Sequence, residues 1–490
     1  MAPSDTSLRR AALVAAAYLG TFLATISISI VNVALPTLQT ALQTDLAGLQ
    51  WVVSAYAIAL SAFMLSAGPL ADRYGHKRMW ALSVLLFTLG AAVCAVAGSL
   101  PQLLWGRALQ GLAGALLIPG AMPILTAAFP EPAARARVIG GWSAFSALAL
   151  VLGPLCGGLL VQYSSWPSIF WLQVPLGLVT LVLGLWGINE MRDPDQAALD
   201  PVGQLLSVVW LGALTYALIR FGHAGFGDGR VQLALAVAVI GCIAFVLVEQ
   251  RVAKPLLPLD MITKPWLGLP NLASFVLGFS GYASLFFLSL FLQQGQGQSP
   301  SATGTQLLPQ FLLMGGVSLA FGRLLARWSL APLLAWGYAA MGAALALMVL
   351  LGSDTGYGWV ALLLAVLGIG MGIAVPGTAV MVMGRVPVGR AGSASATMNA
   401  LRQTGMTLGI ALLGSLMGLH ALARMEHSSS TLGGSLELAR AAVLAQQLPA
   451  EPALQAAYRT AMSQGFNVAM LVAGLSSLTV AWALWRRRSA

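Results

Sequence analysis

Two arginines interrupt otherwise apolar stretches of this chain. They are Arg107, in Gly106-Arg107-Ala-Leu-Gln110-Gly111, and Arg402, in Asn399-Ala-Leu-Arg402-Gln403. Ser27, Asn32, Gln110, Asn399 and Gln403 are polar residues in the same kind of setting, and Trp51, Tyr56 and Phe287 add aromatic faces. These types bind rather than catalyse. Guanidinium and carboxamide groups hydrogen-bond polar solutes, and aromatic rings cover apolar bodies or cations. The sequence shows no catalytic triad, metal-ligand cluster or phosphate loop, so neither an enzyme nor a cofactor is expected. Cys94, Cys156 and Cys242 lie far apart in apolar stretches, without metal-ligand spacing, and read as small buried residues.

The acids follow the opposite rule. Asp5, Asp45, Glu131, Glu190, Asp193, Asp195, Asp200, Asp228, Asp260, Asp354, Glu426, Glu437 and Glu451 fall in tails or connectors, and Asp72 and Glu249 at block ends. No carboxylate is expected at mid-membrane depth. A lone charge at the centre of a bilayer costs at least about 2.5–3.5 kcal/mol, so Arg107 and Arg402 should face a cavity or bind backbone carbonyls. His420 reads as an interfacial residue.

The elements that position these groups are long apolar blocks. Of 490 residues, 58% are hydrophobic and 8% charged, too few charges to cover a soluble protein, which carries about 25%. A helix needs about 20 apolar residues to cross a bilayer. Fourteen blocks qualify, at about 11–36, 49–71, 79–97, 102–128, 137–161, 167–188, 203–221, 231–250, 267–292, 303–328, 330–351, 357–382, 394–420 and 464–485. The predicted fold is an all-α polytopic membrane protein. The block after Arg9 and Arg10 is too long for a secretory signal core and reads as a retained first span. The net charge of +10 does not imply nucleic acid, because the basic residues sit at block ends. With the N-terminus in the cytoplasm, 18 Lys and Arg fall on the cytoplasmic side and 5 on the other. That bias predicts both termini in the cytoplasm and the inner, or cell, membrane as location.

Two stretches repeat. Gly68-Pro-Leu-Ala-Asp72-Arg73-Tyr-Gly75-His-Lys-Arg78 follows the second block, and Gly322-Arg-Leu-Leu-Ala326-Arg327 follows the tenth without the acid. Repeated halves with a midplane site between them are the usual build of secondary transporters. The expected organisation is therefore an N-terminal six-helix bundle over 1–190, a linker with two extra spans over 191–264, and a C-terminal six-helix bundle over 265–490. An external loop at about 421–463 is expected within the last, with a short surface helix at Ser435 to Gln447.

The first repeat resembles the loop between spans 2 and 3 of the major facilitator superfamily. Ile30-Val-Asn32-Val-Ala-Leu-Pro36, the Arg107 motif, Gly153-Pro154-Leu-Cys-Gly157-Gly158, Leu292-Gln293, Ser299-Pro300 and the stretch from Gly392 to Gln403 extend the likeness along nearly the whole chain. Together they resemble the fourteen-span drug:proton antiporter family. The resemblance implies export of amphipathic small molecules by alternating access, coupled to protons, by a monomer in the bilayer. It also implies a conformational latch at Gly68, Asp72, Arg73, Gly75 and Arg78, and a gate packed by Gly153, Pro154, Gly157 and Gly158. The residues named at the outset would line the cavity. One departure stands out. The family places an Asp in span 1, and Ser27 occupies that position here. The missing acid leaves open a transporter of anionic metabolites or an uncoupled facilitator. A lipid-handling or receptor protein is a more distant reading.

Overall fold

The computed structural model describes residues 3–191, 200–252, 255–257, 259, 265–386, 391–432, 442–443 and 452–486. Fourteen of its helices are long and apolar enough to cross a membrane. Spans 1 to 6 are Ser7–Ala41, Leu46–Met64, His76–Ala95, Leu100–Ala128, Arg137–Tyr163 and Ser168–Gly187. Spans 7 and 8 are Pro201–Gly222 and Gly229–Glu249. Spans 9 to 14 are Trp266–Gly295, Pro300–Arg327, Leu330–Leu350, Tyr357–Met383, Ala394–His427 and Leu454–Arg486. An even number of crossings puts Ser7 and Arg486 on one side, called the terminal face here; the other is the far face. Aromatic residues mark both levels. Trp105, Tyr163, Trp171 and Trp359 are exposed toward the far face, and Trp186, Trp266, Trp328, Trp336, Trp482 and Trp485 toward the terminal face. Amphipathic rings prefer these two depths of a bilayer.

The two six-span halves repeat one packing scheme. Span 1 packs on 5, 2 on 4, 3 on 4 and 3 on 6. In the second half, 9 packs on 13, 10 on 12, 11 on 12 and 11 on 14. The halves meet along span 1 with 9, span 2 with 13, and span 5 with 10. The inserted spans stand at one side, with span 7 packed on 8, on span 2 and on span 13. They are accordingly among the least buried, and span 9 at the centre is the most buried. On the far face, Arg220 Nη2 meets Asp228 Oδ2 at 2.6 Å and ties the inserted hairpin. The Arg230 backbone N–H, with help from the Arg220 side chain, holds the Asp228 carboxyl below the usual carboxylate range.

Several boundaries differ from those read in the sequence. The second block, expected to run to 71, ends at Met64, and a separate helix Ala67–Tyr74 follows. Gly68 and Pro69 sit in that short helix and break the apolar run. The helix of span 13 continues to Leu432, and the last helix begins at Pro452. The stretch expected to be an external loop is thus helical at both ends. The expected surface helix lies outside the described residues apart from Ala442 and Val443. Span 9 holds two wide turns, Leu277–Tyr282 and Phe291–Gly295. Their i to i+5 bonds include Ala283 N–H to Gly278 O at 3.1 Å and Gln296 N–H to Phe291 O at 2.9 Å. Such turns gather at functional sites and re-aim side chains.

Candidate substrate cavity and gate

Arg107 has no exposed surface. Its Nη1 donates to Ser27 Oγ at 2.7 Å and to Gln110 Oε1 at 3.1 Å, and its Nε donates to Val52 O at 3.2 Å. The guanidinium carbon lies 4.4 Å from the centre of the Tyr56 ring. Gln110 Nε2 donates on to Gln173 Oε1 at 2.9 Å, and Tyr56 Oη to Ala24 O at 2.8 Å. Every one of these side chains is buried. The network joins spans 1, 2, 4 and 6, so its charge is held by neutral oxygens and a π face. No described carboxylate pairs with it. A desolvated cation–π contact is worth about 2 kcal/mol, and hydrogen bonds to a charged group about 1.5–3 kcal/mol. These offset the cost of burying the charge.

The second arginine is differently placed. Arg402 is half-buried, donates to Asn399 Oδ1, and lies over the Tyr282 ring at 5.5 Å. Asn399 Nδ2 donates to Ser395 O at 2.9 Å. Gln403 is buried in the same span. Asn32 donates from Nδ2 to Ile28 O at 3.1 Å, its Oδ1 has no hydrogen-bond partner, and its carbonyl accepts from Ser289 Oγ at 2.7 Å. The structure therefore brings Ser27, Tyr56, Arg107 and Gln110 into one cluster. Asn399 and Arg402 form another, on the opposite half. Trp51 stands apart, facing Tyr216 of inserted span 7 with ring centres 6.4 Å apart. Phe287 packs edge-on against Phe286 in span 9.

The far ends of the halves are sealed. Ser289 and Gln293 of span 9 donate to the span 1 carbonyls of Asn32 and Val33, and Gln294 donates to Gln39. Span 5 meets span 10 through backbone. A Cβ on Gly158 would lie 2.4 Å from Pro300 O, and one on Gly304 would lie 2.3 Å from Pro154 O. Only glycine lets the chains approach so closely. Gly153 faces Ser29 and Gly157 faces Ile30, both of span 1. Near the terminal face, the hydrogen bonds between halves among the described residues are those of Ser61, to Ala400 O at 3.1 Å and with Thr404 at 2.7 Å. Among the described residues, the backbone-close contacts between the halves lie at the far end.

The loop between spans 2 and 3 is held from a direction the sequence did not reveal. Gly75 has φ +103°, a region natural to glycine. A Cβ there would collide with the Glu190 carboxylate. Glu190, just past span 6, accepts from Lys77 N–H at 3.0 Å at the start of span 3 and lies 3.6 Å from Arg78 Nε. A carboxylate at a helix N-terminus is stabilising. Asp72 pairs locally with His76 Nε2 at 3.0 Å, and Arg73 lies over the Tyr74 ring. Gly68 has open space beside it, so no close helix approach depends on it here.

Residues 17–410 match the profile of the Major Facilitator Superfamily. The chain belongs to that superfamily. It is a multi-pass membrane transporter and not an enzyme. It is 33% identical over 404 residues to the methylenomycin A resistance protein of Bacillus subtilis (strain 168), covering 82% of this chain and 86% of that one. It is 35% identical over 409 residues to the multidrug resistance protein Stp of Mycobacterium tuberculosis, covering 83% and 76%. It is 33% identical over 399 residues to the tetracenomycin C resistance and export protein of Streptomyces glaucescens, covering 81% and 74%. Among solved structures, a bacterial homologue of the human lysosomal transporter Spinster aligns with TM-score 0.64 at 20% identity, covering 99% of both chains. A peptide transporter, POT, aligns with TM-score 0.64 at 17% identity, covering 97% and 95%. At these identities the two structures speak for the facilitator fold alone.

Proposed function

We propose that the protein exports amphipathic organic compounds, drugs or metabolites among them, from the cytoplasm across the inner membrane. The observation that carries this reading is the likeness to relatives named for resistance and export, sustained over four-fifths of the chain. The sealed far face supports alternating access. A state closed there receives solute from the terminal side, and rocking of the halves along the span 2–13 and span 5–10 seams would release it on the other. The proton gradient drives this cycle, with the protein working as a monomer in the lipid bilayer. Cells producing the protein are expected to accumulate less of a fluorescent amphipathic dye than cells with an empty vector. Equal accumulation would remove the basis for export.

A second reading rests on a specific observation. Arg107 and Arg402 sit inside spans with no ion-pair partner among the described carboxylates. That field favours anionic solutes and supports a transporter of anionic metabolites, or uncoupled flux. An imposed pH gradient separates the readings, because uncoupled flux is indifferent to it.

The charge bias supports a cytoplasmic terminal face. A phosphatase reporter, active only outside the cytoplasm, is expected to be silent when fused after Arg488 and active when inserted after Gly227. Activity at Arg488 would contradict the orientation.

A further inference from the structure

The inserted spans carry a feature that the transport reading does not use. Asp200 immediately precedes span 7, and Glu249 ends span 8, both at the terminal face. They are 7% and 3% exposed. Asp200 Oδ1 caps span 7 by accepting from Gly203 N–H at 2.8 Å. Glu249 Oε2 accepts from Leu257 N–H at 3.0 Å. The second oxygen of each carboxyl, Asp200 Oδ2 and Glu249 Oε1, has no hydrogen-bond partner. Both point at one place. A Cβ on Gly203 would lie 2.3 Å from Asp200 Oδ2 and 2.7 Å from Glu249 Oε1. The absence of a side chain at 203 leaves both oxygens bordering the same open position.

Two buried carboxylates cannot comfortably ionise side by side. Like charges at close range favour one protonated member, which then donates to the other. A buried acceptor left without a donor is costly, and a shared proton would satisfy both oxygens. Charged residues on the neighbouring elements are few. Asp72 and Arg73 lie on the helix after span 2, Arg251 is exposed two residues past Glu249, and Lys254 lies outside the described residues. No described basic residue pairs with either carboxylate.

We propose that Asp200 and Glu249 form a proton-binding site that holds one exchangeable proton between Asp200 Oδ2 and Glu249 Oε1. Its loss releases one proton to water and leaves two facing anions, which repel. The start of span 7 then separates from the end of span 8. That start holds the span 2 side of the seam between halves: Gln204 donates to Ala62 O of span 2 at 3.0 Å and accepts from Ser66 Oγ. Farther along, span 7 accepts from Ser415 of span 13 at Leu218 O. The site therefore makes the brace on the span 2–13 seam sensitive to pH at the terminal face. This inference stands whether or not the transported solute is a drug.

The test is an infrared titration of the full-length protein in lipid nanodiscs, with melting followed across the same pH range. The wild type is expected to show a protonated-carboxyl band with a midpoint at least about one pH unit above that of free glutamate. The band should be lost in both Glu249→Gln and Asp200→Asn. A proton held by the folded protein and not by the unfolded chain would stabilise the fold fully at low pH, and that stabilisation would be lost as pH rises through the midpoint of the band. The wild-type Tm should fall over that window, and the fall should be absent in Glu249→Gln. Wild type alone is decisive if a variant does not fold, since no protonated-carboxyl band above the ordinary range would overturn the proposal. A band that survives unchanged in Asp200→Asn would also overturn it, as would one abolished by sodium chloride but not by choline chloride, because a metal cation would then be the ligand.

Discussion

Gly158→Leu is expected to reduce export about 100-fold while leaving insertion into the membrane intact. The span 5–10 contact at the far face is made by backbone, with Pro300 O only 2.4 Å from where a Cβ at 158 would sit. A leucine there cannot escape by a change of rotamer, because its Cβ already clashes. Overpacking of this kind costs about 3 kcal/mol at its upper range. The cost falls only on the state closed at the far face, so the ratio of the two states shifts by about 100-fold. Under the proposed alternating access, transport needs both states and stalls when one is lost. Gly304→Leu, against Pro154 O, is expected to act alike. Gly212→Leu is the control, since Gly212 has open space beside it. The check is dye flux in vesicles, together with labelling of a cysteine placed at Gln39. Labelling should rise in the two seal variants. Normal flux in Gly158→Leu would show that the far-face contact is not a gate.

Ser27→Asp is expected to raise transport of dications about tenfold relative to matched uncharged compounds. Ser27 Oγ accepts from Arg107 Nη1 at 2.7 Å. A carboxylate in its place would neutralise the guanidinium. Unit charges 4 Å apart interact by about 4 kcal/mol even at an effective dielectric of 20. Arg107 has no exposed surface, so its expected effect on a solute is through its field rather than by contact. Only part of that energy reaches the solute, and about 1.4 kcal/mol is enough for a tenfold change. The variant is also expected to depend more steeply on the proton gradient, because a carboxylate at this depth can bind and release protons. Ser27→Asn keeps the shape without the charge and should leave selectivity near that of the wild type. Competitive uptake into vesicles with matched uncharged, singly and doubly charged compounds is the measurement. Wild-type transport of dications as good as that of uncharged analogues would defeat the argument.

Features carried by local pattern were legible in the sequence. The number of spans follows from the lengths of the apolar blocks, and the facilitator fold from the repeated Gly68 and Gly322 loops and the ordered motifs. Contacts made across the chain were not legible. Glu190 lies 113 residues from Lys77, whose N–H it accepts, and it read as a connector acid. Arg107 and Ser27 are 80 residues apart, so their hydrogen bond could not be read from spacing. In the sequence Asp200 reads as a connector acid and Glu249 as a block end, and neither reading reveals that both border the open position beside Gly203. Trp51 was expected at the cavity, and its partner Tyr216 belongs to an inserted span that periodicity alone cannot dock. The helical ends of the 421–463 stretch are not legible as apolar blocks because Arg424, Glu426, His427, Gln455 and Arg459 interrupt their apolar residues. Those apolar residues, Met425, Leu454 and Tyr458 among them, are buried in the structure.

The proposed activity is proton-driven export of amphipathic solutes, with uncharged or anionic compounds favoured over dications. It is tested most directly with the purified protein in liposomes, loaded with a fluorescent amphiphile and given an imposed pH gradient. Uphill movement of the uncharged compound is expected when protons flow in the opposite direction. It should collapse when a protonophore removes the gradient, and matched dications should move more slowly. Equal flux with and without the gradient would rule out proton-driven export, and faster movement of the dications would rule out the expected charge preference.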